Sequence, residues 1–141
     1  VGLVTAVLGD DGSALRFAAQ RSEGVVVEAM GGGHVPPGVA DAIGDVAPTR
    51  PVVLASRTHA GEILRNTYGF PGSERDLLDR GAVSAGWLNA RKARVLLSLL
   101  LGAVAPADVP ARLAAYLETA TRQDPNPTAS AAPDLESRRD G

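Results

Sequence analysis

The sequence predicts an α/β fold, a small parallel sheet of about four strands flanked by helices. Three observations predict it. Strand-like and helix-like segments alternate along the chain and are joined by short turns rich in Gly, Pro and Asp. Two of the strand-like segments, Val25–Met30 (VVVEAM) and Pro51–Ser56 (PVVLAS), are nearly continuous apolar runs, the pattern of strands buried on both faces. Two later segments carry apolar residues at the helical period.

The elements follow in order. Val1–Leu8 is an apolar run ended by Gly9-Asp10-Asp11-Gly12, a strand and its turn. Ser13 is placed to N-cap a short helix through Gln20, with Leu15, Ala18 and Ala19 on one face. Gly24 introduces the second strand, and GGGHVPP (Gly31–Pro37) follows it. Pro36 or Pro37 suits the first turn of a helix running to about Val46, because proline has no amide hydrogen to lose there. Pro51–Ser56 is the third strand, and Arg57 to Gly72 is irregular. Ser73, with Asp76 three residues on, starts a short helix closed by Gly81. Ala82–Trp87 reads as a fourth strand. Asn89 caps the helix ARKARVLLSLLLGAV, whose predicted inward stripe is Val95, Leu96, Leu99 and Ala103. Asp108 caps a last helix to about Thr121, with Val109, Leu113, Tyr116 and Leu117 facing inward.

This gives a domain at residues 1–122 and a disordered Pro/Ala/Ser-rich tail at 123–141. The chain opens directly on strand-like sequence without an initiator Met, which reads as a cut edge within a longer polypeptide.

Composition removes several function classes. Apolar residues make up 45% and charged residues 21%, as in ordinary globular proteins. Charges balance up to Arg122, and the net −2 accumulates in the tail, so there is no basic footprint for nucleic acid. The absence of cysteine excludes disulfides, thiolate catalysis and Cys-based metal sites. No apolar run approaches the roughly 20 residues of a membrane span, and the N-terminus lacks the pattern of a signal peptide. The sequence leans to a cytoplasmic location without fixing it.

In a parallel sheet the carboxyl ends of the strands carry the ligand-facing loops. His34, after the second strand, and His59, after the third, are the only two histidines, and both fall there. The glycines of GGGHVPP do not make a dinucleotide fingerprint, because Pro36 occupies the third glycine's position, and no Lys-Ser/Thr follows to make a phosphate loop. They permit positive φ and close backbone approach at a strand-to-helix turn. Two histidines without a third ligand at recognisable spacing argue against a metal, and no cofactor is implied. Neither Ser56 nor Ser84 sits in a nucleophile elbow. Arg91-Lys92-Ala93-Arg94 reads as a solvated face of a helix, and Tyr68, in RNTYGF, as a loop anchor or a functional loop residue.

Three stretches together resemble a specific family. VVVEAMGGGHVPP, PVVLASRTHAGEI and AVSAGWLNARKARVLLSLLL are similar to the C-terminal domain of bacterial L-asparaginases, the asparaginase/glutaminase family. That family shows a strand ending in Gly-x-Gly-Asn, a V-x-x-S-S-R strand, and a G-x-L-N-P-x-K-A-R-x-L-L signature. The counterparts here are Gly31–His34, Val52–Arg57 and Gly86–Leu97, and the resemblance covers residues 1–118. Its motif residues Arg57, Asn89, Lys92 and Arg94 are expected to be structural.

The resemblance implies a Rossmann-like C-terminal domain of the asparaginase fold, and hydrolysis of asparagine to aspartate and ammonia by the whole protein. In the family, a threonine nucleophile in a glycine-rich segment of the N-terminal domain forms an acyl-enzyme. A second threonine, an aspartate and a lysine assist it. No Thr-Gly-Gly-Thr and no Thr-Asp pair occurs in this sequence, so it is expected to be inactive alone, with no catalytic residue of its own.

The family's C-terminal domain reaches a neighbouring subunit's site with an asparagine from Gly-x-Gly-Asn and a glutamate that holds the substrate amine. Here Gly33 and His34 stand at the end of that motif, His34 in the asparagine's place. Tyr68 or Glu62 is expected near the glutamate's place. The partners implied are an N-terminal asparaginase domain, further copies of the chain and an asparagine-like small molecule, with no nucleic acid and no membrane. The alternative readings are a non-catalytic α/β module that binds a small amino acid or pairs with other subunits, and an amidotransferase subunit.

Overall fold

The computed structural model describes residues 1–58 and 61–123. Its element order is β1 (Gly2–Thr5), α1 (Ser13–Gln20), β2 (Val25–Ala29), α2 (Pro37–Val46), β3 (Val52–Ser56), α3 (Glu74–Asp79), β4 (Val83–Ser84), α4 (Ala90–Ala103), a 3₁₀ turn (Pro106–Asp108) and α5 (Val109–Gln123). The four strands form one parallel sheet in the order β1-β2-β3-β4. Strands added in one direction with crossovers of one hand put every connecting helix on the same face. The packing agrees: Leu15 of α1, Ile43 of α2 and Leu77 of α3 join one cluster beneath the sheet. The opposite face is left to α4 and α5, which cover it with Leu97 and Leu113.

The two apolar strands divide their side chains by the period of two. Val25, Val27, Val52 and Leu54 point into the first cluster, and Val26, Val53 and Ala55 into the second. All seven are inaccessible to solvent, each burial stabilising the fold by about 1.5–3 kcal/mol for the larger side chains. This two-sided burial is why both runs are continuously apolar.

Several expectations need correction. The first strand is shorter than Val1–Leu8: pairing stops at Thr5, and Val7 and Leu8 are exposed beside the turn. The fourth strand is only Val83–Ser84, because only these two residues pair with β3. Ser13 is the first residue of α1, not its cap; the cap position is Gly12, and Asp11 Oδ1 takes the Ser13 amide instead. Ser73 does hold the cap position of α3, but its hydroxyl donates to the Tyr68 carbonyl, while Asp76 accepts from the Gly72 amide.

The stripe expected inside α4 is turned outward in part: Val95 and Leu99 are 60% and 66% exposed. The face against the sheet is Ala90, Ala93 and Leu97, whose small residues let the helix approach closely. Tyr116 of α5 is likewise exposed and joins Val95, Leu99 and Trp87 along an apolar groove between the two helices. Asp108 ends the 3₁₀ turn and directly precedes α5, which runs through Gln123. From residue 124 the tail lies outside the described residues.

Asn89 does cap α4, its Oδ1 accepting the Lys92 amide at 3.0 Å. Replacing it by alanine is expected to lower stability by about 1 kcal/mol, read as a shift in urea midpoint with unchanged slope.

Candidate functional site

The carboxyl end of β2 turns back on itself within four residues. His34 N donates to Met30 O (2.9 Å) and Met30 N to His34 O (2.8 Å), closing a loop over Gly31, Gly32 and Gly33. Gly33 has φ 118°, and a Cβ there would stand 3.2 Å from both the Glu74 Cβ and the Ile63 Cγ2, so the tight turn and the close approach both require glycine. The loop is bolted to its neighbours. Ser56 Oγ, at the end of β3, donates to Gly31 O (2.6 Å), Leu64 N donates to Gly32 O (2.8 Å), and Val35 N donates to Gly72 O (2.9 Å). Ser56 is thereby committed to a structural bond, which it shares with Thr58.

Against this loop lies a carboxylate. Glu74, the first residue of α3, has no solvent exposure. Its Oε1 accepts from the backbone amides of Thr67 (2.8 Å) and Tyr68 (2.7 Å). Its Oε2 lies 3.3 Å from His34 Nε2. That is ion-pair distance, but the two atoms are not aligned as a good hydrogen bond, and each is buried without another partner. Burial alone would push the Glu74 carboxyl up. The amides of Tyr68 and Thr67, its own amide and then His34 outweigh burial and hold it below the ordinary glutamate range.

The loop that Glu74 gathers also covers His34. The Tyr68 and Phe70 rings meet the imidazole edge-on, with centroids at 5.1 Å and 5.2 Å, and the imidazole side chain keeps 28% of its surface exposed. Below it, Asp76 accepts the Gly72 amide at 2.7 Å and pairs with Arg80, which also reaches Asp41 of α2. Asp76 and Asp41 together hold the Arg80 guanidinium further in its charged form.

Of the expected site residues, Gly33, His34 and Tyr68 come together. Glu62 does not join them: with Arg65, Gly86, Trp87 and residues of α5 it lines a separate cavity of about 360 Å³. The carboxylate facing His34 is Glu74, which is not among the residues expected at the site from sequence. A signal was present, since Glu74, Leu77 and Leu78 share the i, i+3, i+4 spacing of an inward face, and Leu77 is fully buried.

Of the motif residues, Arg57, Arg94 and Asn89 make side-chain bonds between or at the ends of elements. Arg57 Nη1 donates to Ala6 O (3.2 Å), tying the end of β3 across to the segment after β1. Arg94 Nε donates to Val1 O (2.8 Å), fastening α4 to the start of the chain. Lys92 gives its amide to the Asn89 cap and lies exposed along the α4–α5 groove. His59 lies outside the described residues. Among the described residues, no three His, Cys, Asp or Glu side chains gather as a metal site.

Comparison with known proteins places this architecture. The family model for the glutaminase/asparaginase C-terminal domain matches residues 1–112. A protein named "Probable L-asparaginase" from Deinococcus radiodurans is 44% identical over 101 residues, which cover 72% of this chain and 30% of that protein. The L-asparaginase of Bacillus licheniformis is 33% identical over 103 residues, covering 72% of this chain and 32% of that protein. Among solved structures, the "Probable Cytoplasmic L-asparaginase" of Campylobacter jejuni superposes with a TM-score of 0.65 at 25% identity, covering 79% of this chain and 33% of that one. The chain thus spans about a third of the length of these relatives. Its α/β architecture, its strand-end loops and these matches agree, and the chain belongs to the glutaminase/asparaginase C-terminal domain family.

Proposed function

We propose that this chain acts as the C-terminal domain of an L-asparaginase-type amidohydrolase, which converts asparagine and water to aspartate and ammonia. In this reading it supplies no nucleophile. It presents the loop after β2 and the segment 64–72 to a substrate site completed by an N-terminal domain and by further copies of the protein. The observation that carries the reading is the His34–Glu74 pair, built at the carboxyl end of the sheet and closed over by Tyr68 and Phe70. Topology supports it. A sheet in the order β1-β2-β3-β4 has no reversal of strand order, and so no crevice of its own between diverging loops. A ligand cleft therefore needs a second wall.

The carboxylate that backs the ligand-facing residue is Glu74, acting through His34, since Tyr68 carries no carboxylate and Glu62 lines the cavity beside Trp87 and α5. A cytoplasmic location belongs to the same proposal, following the name of the Campylobacter jejuni relative.

The test is ammonia release from asparagine by the full-length protein, measured beside residues 1–141. The full-length protein is expected to release ammonia and the 141 residues none. Activity in the 141 residues alone would overturn the assignment of the nucleophile to another domain. A second reading, a non-catalytic subunit-pairing module, is favoured by the apolar groove of Val95, Leu99 and Tyr116. An inactive full-length protein would favour it.

A further inference from the structure

Glu74 has no exposed surface and His34 has some, so only His34 of the pair is open to a ligand. We infer that Glu74 is a positioning residue that acts through His34, fixing the imidazole as its Nε2–H tautomer so that Nδ1 faces the substrate as a hydrogen-bond acceptor. The inference rests on the function proposed above for the ligand's identity, but not for the state of the ring.

Three observations carry it. The buried ring nitrogen is Nε2, and it faces a carboxylate oxygen that only accepts. A bare Nε2 there would oppose two lone pairs, so the proton sits on Nε2 when the ring is neutral. Glu74 cannot turn away, because its other oxygen is held by the amides of Thr67 and Tyr68. Nδ1 makes no hydrogen bond among the described residues and is not among the buried polar atoms lacking a partner, so the open side of the ring carries it. An acceptor is what an ammonium group requires. The family's asparagine reads either way, so a histidine alone would be ambiguous at this position, and Glu74 removes the ambiguity. Tyr68 and Phe70, packed edge-on, stop the ring from flipping to exchange its nitrogens.

The decisive variant is Glu74→Gln, which keeps the shape and reverses one donor. Its amide oxygen must still accept from Thr67 and Tyr68, which leaves the NH₂ group facing His34 Nε2. Nε2 then becomes the acceptor, the proton moves to Nδ1, and the ring offers the ligand a donor. Ring ¹⁵N shifts of the two histidines, told apart with His59→Gln and read at about pH 8.5, well above the ordinary imidazole range, report which nitrogen is protonated. The expected result is Nε2–H in the unaltered chain and Nδ1–H in Glu74→Gln. Nδ1–H in the unaltered chain would overturn the inference and leave the proposed function standing.

In the full-length enzyme, Glu74→Gln is expected to raise KM for asparagine by about 10- to 100-fold, the range for a lost hydrogen bond to a charged group, with a smaller change in kcat. Combined with His34→Ala, it is expected to add nothing further, since its effect passes through the ring. Additive effects would mean that Glu74 acts on the ligand by another route, and would overturn the inference. An inactive full-length protein with the expected ring shifts would instead count against the proposed function alone.

Discussion

Replacing Glu74 by alanine is expected to lower the stability of the domain by about 3–5 kcal/mol, more than any exposed charge on the molecule. The buried carboxylate is the shared acceptor for the amides of Thr67 and Tyr68, two part-buried bonds at otherwise exposed residues. Each orphaned amide costs about 1–3 kcal/mol if water does not replace the oxygen. The segment 64–72 would loosen, and with it the cover that Tyr68 and Phe70 place on His34. Urea unfolding measures the loss, and amide exchange at Thr67 and Tyr68 locates it.

Acid gives a second view of the same group. Its folded pKa lies below the ordinary value of 4.5, so its contribution is complete above that value and disappears as pH falls from there through the folded pKa. The unaltered chain should lose stability in that window, and Glu74→Ala should lose less. Asp11, also held below its ordinary range by its bonds to Ser13, titrates in both and is the background slope. Parallel pH profiles for the two proteins would sink the assignment.

What the amino-acid order made legible was what burial writes into it. β2 and β3 were visible because both faces are covered, and two-sided burial leaves no room for polar residues. β1 and β4 lie at the sheet edges, where the run of apolar residues and the run of paired residues need not coincide, and there the boundaries drifted. In α4 the period was visible but its direction was not. Two apolar stripes share that helix, and the larger one, with Val95 and Leu99, faces the groove instead of the sheet. The stripe that packs is Ala90, Ala93 and Leu97, because a helix laid against a flat sheet is limited by how closely its backbone approaches. At the site, His34 was legible from its place at a strand end. Glu74 was not, since a charged residue in a helix's first turn ordinarily faces water. The backbone amides of a loop with no period of its own do most to make its burial tolerable, and those bonds are formed between segments rather than within one.

Gly72→Ala should be the most damaging of the small substitutions near the site, at about 3 kcal/mol, while Gly69→Ala, three residues earlier, should be close to neutral. The contrast is geometric. Gly72 has φ 87°, a conformation that costs an L-residue about 1–2 kcal/mol. A Cβ there would also run into the carbonyl oxygen of Val35, which is backbone and cannot swing aside. The bond from Val35 N to Gly72 O, 2.9 Å long, would have to stretch with it. At Gly69 a Cβ would meet only the end of the Arg75 side chain, at 3.7 Å. The Val35–Gly72 contact joins the prolines after His34 to the turn before Glu74, so parting it separates the two halves of the site. Gly72→Ala should therefore speed amide exchange at Thr67 and Tyr68 as well as shift the urea midpoint, and Gly69→Ala should do neither. Equal stability of the two variants would show that the Val35–Gly72 bond does not hold the loop against the sheet.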